Sequence, residues 1–186
     1  MRIIAGKFRS RLLKSPDGRE CRPAMGRTRE ALFSMLEARG LFDSDIRVLD
    51  IFAGSGSLAF EAISRGAKEA VLLEQSPAVL ACIEANIRAL GLEDCVTVIA
   101  KDALRVLRRG TEEGFDLVFL DPPYRKDYAQ KCLPLLAEKG WLLPGASILA
   151  EVEHDLPLSV PASFSLETER LFGQTRVLFM HYTPSV

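Results

Sequence analysis

The loop Asp121-Pro122-Pro123-Tyr124 carries the residues with the clearest capacity for chemistry. Its two prolines fix the backbone angle φ and remove two N–H donors, so the loop offers carbonyl oxygens, one carboxylate and one aromatic ring. These groups can accept hydrogen bonds from an exocyclic amino group while the ring of Tyr124 stacks on a base. The loop therefore predicts a catalytic site, made of all four residues, for a flipped-out or single-stranded nucleotide.

An amino group held in this loop could attack the methyl group of a sulfonium in line. Catalysis would then consist chiefly of orientation and electrostatic positioning. Hydrogen bonds to Asp121 and to the Pro122 carbonyl would reduce conjugation of the nitrogen lone pair with the base, and Asp121 could take up the proton after transfer. No cysteine stands next to the loop, which disfavours the covalent route used to methylate pyrimidine carbon.

A glycine-rich stretch, residues 48–57, predicts the binding site of the methyl donor. An apolar strand runs there into a glycine turn and then into a helix. In a parallel sheet, ligands bind at the carboxyl ends of the strands, where the backbone must approach them closely. Glu74 stands at the tip of the next predicted strand, where a carboxylate can accept both hydroxyl protons of a ribose. Asp102, at the tip of the third, is suited to hold an adenine edge together with the amide of Ala103.

The spacing Gly54-x-Gly56-x-x-Ala59 also fits the dinucleotide-binding fingerprint, which is a weak signal by itself. Asp50 precedes the glycines, where its charge would oppose a pyrophosphate but suit an aminoacyl ammonium group. S-adenosylmethionine has an ammonium group, a ribose and an adenine but no phosphate, so it suits the spacing better than a nicotinamide cofactor. The residues that this spacing predicts to bind it are Asp50, Gly54, Gly56, Glu74, Asp102 and Ala103.

Alternating strands and helices must position these residues. Apolar runs predict strands at residues 46–52, 70–73, 96–100, 115–120 and 147–152, and helices at 27–39, 57–64, 76–91, from 103 onward and around 128–138. Apolar strands with polar helices between them imply an α/β fold, in which both faces of a parallel sheet are covered. Residues 163–168 and 175–182, with a glycine turn between them and no helix, predict a hairpin at one edge of the sheet.

Charge is distributed unevenly along the chain. Residues 1–29 carry a net charge of +7 and the rest carry −8, although the whole chain has only −1. A basic arm on an acidic body indicates that one end contacts a polyanion. Cations alternate in residues 7–11, so a strand there would present three of them on one face. We therefore divide the chain into a basic RNA-contacting arm, residues 1–29, and a catalytic domain, residues 30–186.

Composition excludes several other classes of protein. The chain has 186 residues, of which 48 % are hydrophobic and 26 % charged, as in ordinary globular domains. It contains no run of 18 apolar residues and its first residues do not form a secretory signal. The four cysteines stand far apart and there are only two histidines, so we expect reduced thiols in a cytoplasmic protein and no metal site. A monomer is the expected oligomeric state, although no motif in the sequence determines it. The cysteines are Cys21, Cys82, Cys95 and Cys132.

These motifs occur in an order that resembles the RsmD family. The resemblance covers almost the whole chain and rests on the basic N-terminus, Arg22-Pro23, Arg27-x-Arg29-Glu30-Ala31-Leu32-Phe33, the glycine-rich stretch, Asp121-Pro122-Pro123-Tyr124 and Phe172-Gly173-x-Thr175. The family methylates N2 of a guanine, at position 966 of bacterial 16S rRNA, with S-adenosylmethionine. The resemblance implies a Rossmann-like class I methyltransferase fold, with a mostly parallel seven-stranded sheet and an antiparallel C-terminal hairpin at its edge.

The resemblance also implies how the functional residues are shared out. It assigns residues 121–124 to the target amine. To the cofactor it assigns Asp50, Ala53, Gly54, Ser55, Gly56, Glu74, Asp102 and Ala103. The cations expected on RNA are Lys7, Arg9, Arg11, Arg22, Arg27 and Arg29, and the alternative for Arg29 is an ion pair with Glu30 or with a carboxylate of the catalytic domain. The implied partner is 16S rRNA, within the small ribosomal subunit or an assembly intermediate. The chain departs from the family at Ala24-Met25-Gly26, which lacks the usual acid and two hydroxyls, and at Phe172, where tyrosine is usual.

Other functions remain open at this point. A DNA adenine-N6 methyltransferase can share the Asp-Pro-Pro-Tyr loop, although this chain lacks room for a separate domain that reads DNA sequence, and a short basic arm contacts mainly phosphates. A non-catalytic RNA-binding protein could retain such a sheet, but Asp50, Glu74 and Asp121 are all present. An NAD-dependent oxidoreductase is the most distant alternative. The residues alone do not decide between guanine and adenine as the target.

Overall fold

The computed structural model describes residues 1–15, 23–123 and 127–184, without the side chains of residues 23–28. Cys21, Arg22 and Tyr124 lie outside the described residues, and Arg27 is described only by its backbone. The α-helices are α1 (Pro23–Ala38), α2 (Ser57–Arg65), α3 (Pro77–Leu90), α4 (Ala103–Leu107) and α5 (Tyr128–Glu138). A short 3₁₀ helix, Leu41–Asp43, follows α1. The helix predicted from Arg27 thus begins four residues earlier, at a proline, a residue well suited to the first helical position.

One seven-stranded sheet forms the centre of the molecule. Its strands are β1 (Arg47–Ile51), β2 (Glu69–Glu74), β3 (Val96–Ala100), β4 (Phe115–Leu120), β5 (Leu142–Glu153), β6 (Phe164–Phe172) and β7 (Thr175–Tyr182). They lie in the order β3-β2-β1-β4-β5-β7-β6. The first five strands are parallel, and β7 pairs antiparallel with both β5 and β6. The predicted parallel sheet with an antiparallel hairpin at one edge is therefore confirmed.

Alternate residues of the central strands enter two separate apolar layers. Val48 of β1 and Phe119 of β4 lie in one layer with residues of α1, α2 and α3, and Leu49 and Ile51 lie in the other with residues of α4 and α5. Residues 48–51 are all buried, because side chains on both faces of the strand are covered by helices. This double burial explains why the central strands are continuous apolar runs in the sequence.

The N-terminal segment, residues 1–15, packs against α2 and α3. Ile3 and Leu13 are buried in the apolar layer on that side of the sheet. The backbone amides of Ile4 and Ala5 donate to the Glu61 carboxylate at 2.7 and 3.0 Å, and the Lys7 amide donates to the Ser64 carbonyl at 2.7 Å. The first fifteen residues are therefore attached to the helices by both apolar and polar contacts.

The prediction of a strand over residues 7–11 is wrong. The chain forms turns there, with Gly6 and Ser10 at φ of 79° and 68°. The amide of Arg9 donates to Gly6 and that of Arg11 to Phe8, so the chain folds back on itself. The reason is that the backbone amides of Ile4 and Ala5, just before this turn, donate to the Glu61 carboxylate of α2 and not to a neighbouring strand. The alternation of cations carried no information about these partners.

The predicted division of the chain into a basic arm and a catalytic domain, between residues 29 and 30, falls within α1 and stays a prediction.

We expect Gly6→Ala to destabilise the protein more than Gly91→Ala, a matched control. Both glycines have positive φ, 79° and 66°, a conformation that costs an alanine about 1 kcal/mol or more. A Cβ at Gly91 would meet nothing within 4 Å, whereas one at Gly6 would lie 1.8 Å from the Ser64 carbonyl oxygen. The clash should lower the free energy of unfolding by about 2 kcal/mol more than the control. Equal losses in urea denaturation would contradict this packing.

Candidate active site

Three neighbouring parallel strands end at one edge of the sheet and place acidic residues there. Asp50 lies in β1 beside Phe119 of β4, Glu74 is the last residue of β2, and Asp121 follows the last residue of β4. β1 pairs with β2 on one side and with β4 on the other. The strand order therefore reverses between β1 and β4, which makes this position the topological switch point of the sheet. Ligands of open α/β sheets bind in the crevice at this point.

The turn after β1 has an unusual backbone. Phe52, Gly54 and Gly56 have φ of 65°, 54° and 74°. A Cβ at Gly54 would meet only the Phe52 carbonyl oxygen, at 3.9 Å, so the backbone there is open to a ligand. A Cβ at Gly56 would lie 2.6 Å from the Phe60 ring, so this glycine is also required for packing. Positive φ at Phe52 is uncommon and marks a strained position of the kind that clusters at functional sites.

Asp50 is a buried carboxyl group behind this turn. One of its oxygens accepts a hydrogen bond from the amide of Ala59, in the first turns of α2, at 3.2 Å. Burial raises the pKa of Asp50 to about 8, and the charges of Asp121 and Glu74 act in the same direction. No described cation pairs with this carboxylate, so a positively charged ligand group would stabilise its ionised form. The site therefore fits the ammonium group that the sequence predicts for the ligand.

Glu74 binds the glycine turn and the start of α3 together. One carboxylate oxygen accepts from the amides of Gln75 and Ser76 at 2.7 and 2.8 Å. The other accepts from the amide of Gly54 at 3.2 Å. The residue is half-buried, so lone pairs remain open to a ribose. Glu74 thus has a structural contact with the turn that the sequence did not predict, in addition to its predicted place at the tip of β2.

Asp102 and Ala103 lie where β3 ends and α4 begins. One Asp102 oxygen accepts from the amide of Arg105 at 2.9 Å and caps the helix. Capping holds the carboxyl group at this position. Ala103 is buried and lies in the same apolar layer as Leu73 and Leu120. The predicted adenine contact at these two residues stays a prediction.

Asp121, the first residue of the Asp-Pro-Pro-Tyr loop, directly follows β4. The residue is exposed, and Pro122 beside it is buried. Desolvation by the surrounding protein raises the pKa of Asp121 to about 6. The oxygens of this carboxyl group can accept hydrogen bonds. Pro123 is exposed and follows in the same loop.

The structure adds two residues that sequence reasoning missed. Glu151 directly follows Ala150, which pairs with Leu120 at the end of the β4–β5 ladder. The negative charge of Asp121 helps to raise the pKa of the Glu151 carboxyl group. The feature of the sequence that could have indicated Glu151 is an acidic residue within an otherwise apolar predicted strand, residues 147–152. The buried Asn86 of α3 donates to the Ser55 carbonyl at 3.3 Å and exchanges two hydrogen bonds with the Lys14 backbone. Asn86 therefore links the N-terminal segment to the glycine turn.

The predicted RNA-contacting cations lie in different environments. Lys7, Arg9 and Arg11 are exposed, although Arg11 also donates to the Ala89 carbonyl at 2.6 Å. Arg29 is 8 % exposed, and its guanidinium donates to the Arg2 carbonyl. Because Arg29 holds the N-terminal segment, we leave it out of the RNA contacts proposed below.

The described residues include three free thiols, but neither a cluster that could hold a metal ion nor a helix that could cross a membrane. Among the described residues, no three His, Cys, Asp or Glu side chains are grouped so that they could hold a metal ion. Cys82, Cys95 and Cys132 are free thiols. No helix in the described part of the chain is long and apolar enough to cross a membrane.

Comparison with known proteins shows the family. The sequence model of the family described as "Conserved hypothetical protein 95" matches residues 1–181. A "Ribosomal RNA small subunit methyltransferase D" from Haemophilus influenzae is 38 % identical over 175 residues, 93 % of this chain and 89 % of that protein. The chain belongs to the RsmD family. A relative with the same description from Escherichia coli K12 is 38 % identical over 176 residues, 94 % of this chain and 86 % of that protein.

Solved structures similar to this RsmD family member have the same fold. An Escherichia coli protein described provisionally as a methyltransferase superposes with a TM-score of 0.87 at 35 % identity, covering 100 % of this chain and 99 % of that one. A Haemophilus influenzae protein described provisionally as a methylase gives 0.84 at 35 % identity, covering 98 % of both chains. The predicted class I methyltransferase fold is therefore confirmed, and so is the resemblance on which it rested.

Proposed function

We propose that the protein transfers a methyl group from S-adenosylmethionine to the exocyclic N2 of a guanine in 16S rRNA of the small ribosomal subunit. The observation that supports this most directly is the convergence of Asp50, Glu74 and Asp121 at one edge of a methyltransferase sheet. Membership of the RsmD family supports rRNA as the substrate, because two relatives at 38 % identity are described as ribosomal RNA small subunit methyltransferases.

The residues at the switch point fit S-adenosylmethionine. When bound, this cofactor supplies a methyl group on a positively charged sulfur. The buried Asp50 carboxylate, which pairs with no described cation, would hold its ammonium group. The open backbone at Gly54 allows close approach, beside Ala53, Ser55 and Gly56. The Glu74 carboxylate would accept hydrogen bonds from both ribose hydroxyl groups. Asp102 and the amide of Ala103 would form hydrogen bonds with the edge of the adenine.

The loop at residues 121–124 would hold the target amine. The Asp121 carboxylate and the Pro122 carbonyl accept its two N–H donors, which turns the nitrogen lone pair out of conjugation with the base. Asp121 then takes up the proton that the nitrogen loses and passes it to solvent, and the raised pKa of its carboxyl group favours this uptake. Tyr124 would stack on the base. Catalysis would then rest on orientation and electrostatic positioning of the amine.

Methyl-transfer assays test this proposal. Labelled S-adenosylmethionine is offered with undermethylated small ribosomal subunits, naked 16S rRNA and duplex DNA in parallel, and the product nucleosides are analysed. We expect N2-methylguanosine from the subunits or the naked rRNA, and the comparison of the two identifies the preferred form. Label in DNA adenine would favour the adenine-N6 methyltransferase instead. Absence of cofactor binding would contradict the assignment of the glycine turn.

The exposed cations of the N-terminal segment should contribute phosphate contacts. We expect Lys7→Ala combined with Arg9→Ala to weaken rRNA binding and to reduce the slope of log affinity against log salt by about 0.7 to 0.9 for each phosphate that is no longer neutralised. Filter binding at several salt concentrations measures this. Arg108→Ala combined with Lys139→Ala, which removes two exposed cations beside the opposite face of the sheet, is the control. An unchanged slope in the first variant would contradict a role for Lys7 and Arg9 in RNA binding.

Point substitutions are preferable to deletion of this segment. Ile3 and Leu13 are buried with the core residues of α2 and α3, and Glu61 would lose two backbone donors if residues 1–15 were removed. A deletion would therefore change stability and RNA affinity together. Substitution of exposed side chains removes their charge and leaves these backbone and core contacts in place.

A further inference from the structure

We propose that Glu151 selects the target base: its carboxylate accepts a hydrogen bond from N1–H of guanine while Asp121 accepts from the N2 amino group beside it. This inference rests on the function proposed above and adds a specificity-determining residue to the same site. It concerns a side chain outside the glycine turn and outside the Asp-Pro-Pro-Tyr loop.

Strand register places Glu151 next to Asp121. β4 and β5 are parallel, and Leu120 pairs with Ala150, so Asp121 and Glu151 are the next residues along each chain. Neighbouring strands lie about 4.8 Å apart. Leu149, two residues before Glu151 in β5, enters the apolar layer beneath α1 together with Phe119 of β4. Because side chains alternate along a strand, Glu151 points to this same face.

The surroundings of Glu151 leave its carboxyl group available to a ligand. The residue is half-buried, and no described residue donates a hydrogen bond to it. Burial and the charge of Asp121 raise its pKa to about 8. No described residue donates a hydrogen bond to the carboxyl group of Asp121 or of Glu151. A substrate that brings N–H donors would therefore stabilise both groups. Carboxyl groups perturbed in this way at the end of a strand are characteristic of functional sites.

The Watson–Crick edge of guanine matches two neighbouring acceptors. Guanine presents N1–H and the N2 amino group side by side, and both are donors. Adenine presents its amino group beside N1, which is an acceptor, so its lone pair would face the Glu151 carboxylate. A site built to receive a donor discriminates strongly against a base that lacks it, because its own polar group is left unpaired. Glu151 thus accounts for guanine as the target where the loop alone does not.

The test uses 2-aminopurine, which keeps the amino group at C2 but has no hydrogen on N1. Small subunits are assembled with 16S rRNA that carries either guanine or 2-aminopurine at the target position. Transfer is measured near neutral pH, where guanine keeps its N1–H, and the hydrogen bond from this donor favours the ionised form of the Glu151 carboxyl group. We expect the wild-type protein to prefer guanine by roughly 10- to 100-fold in kcat/KM. Glu151→Gln should reduce this preference to within about 3-fold, because a rotated amide can donate to N1 of 2-aminopurine.

The intrinsic difference in reactivity between the two bases cancels when the variants are compared. Glu138→Gln, which removes an exposed acid at the end of α5, should keep the wild-type preference. Glu151→Gln should bind S-adenosylmethionine with wild-type affinity and melt within a few degrees of the wild type. A wild-type preference retained in Glu151→Gln, or no preference in the wild type, would overturn the role of Glu151. Failure of the wild type to methylate guanine at N2 would instead overturn the proposed function.

Discussion

Replacement of Asp121 by alanine is expected to lower kcat/KM for methyl transfer by about 10²- to 10⁴-fold, the range for loss of a positioned proton acceptor. Asp121 directly follows β4, and desolvation raises the pKa of its carboxyl group, so it is suited to take up a proton. The variant removes the acceptor that orients the amine and receives its proton. Affinity for S-adenosylmethionine should stay within a few-fold of the wild type, because the residues proposed to bind the cofactor lie on β1 and β2 and in the turns after β1 and β3, outside this loop.

Single-turnover transfer to rRNA and isothermal titration with S-adenosylmethionine measure the two quantities separately. Asp121→Asn, which keeps the shape and one accepting oxygen, should be less impaired than Asp121→Ala. Asp94→Ala, which removes an exposed aspartate before β3, should behave as the wild type. Loss of cofactor binding in Asp121→Ala would contradict the division of roles between the loop and the glycine turn.

Glu74→Ala is expected to raise the dissociation constant for S-adenosylmethionine by about 100-fold. Two causes add. The variant loses the hydrogen bonds to the ribose hydroxyls, and bonds to a charged group contribute about 1.5 to 3 kcal/mol each. It also releases the amides of Gly54, Gln75 and Ser76, which the carboxylate holds at 2.7 to 3.2 Å. Calorimetric titration with the cofactor measures the change.

Conservative substitution separates these two causes. Glu74→Gln keeps one accepting oxygen and should lie between the wild type and Glu74→Ala. Glu84→Ala removes an exposed glutamate of α3 whose ion-pair contact with Arg88 is 3.9 Å long, and should leave affinity unchanged. Wild-type affinity in Glu74→Ala would show that the ribose binds elsewhere.

Several elements could be predicted from the sequence because their side-chain pattern is decided locally. β3, β4 and α5 have the predicted bounds, since each has a distinct apolar pattern. β5 begins at Leu142, five residues earlier than predicted. The added residues include Pro144 and Gly145, types that are depleted in strands, and the pairing with β4 changes register in this region.

The N-terminal segment shows where local pattern was insufficient. Its cations alternate as on a strand, but the amides of Ile4 and Ala5 bind Glu61, which is 57 and 56 positions away in the chain. Arg29 was expected on RNA or in an ion pair with a carboxylate; it is 8 % exposed and donates to the Arg2 carbonyl, a contact that was not predicted. The partners that decide both outcomes are distant in sequence, so no periodicity within the segment could reveal them.

By itself, the sequence determined the α/β class, the glycine turn, and the placement of Asp50, Glu74, Asp102 and Asp121 at strand ends, because these follow from the alternation of apolar runs with turns. Only the tertiary structure decided which acids are neighbours. Glu151 is 30 positions from Asp121 in the chain and was not predicted as a site residue. Parallel pairing of β4 with β5 brings the two together, since strand register joins residues that no sequence spacing relates.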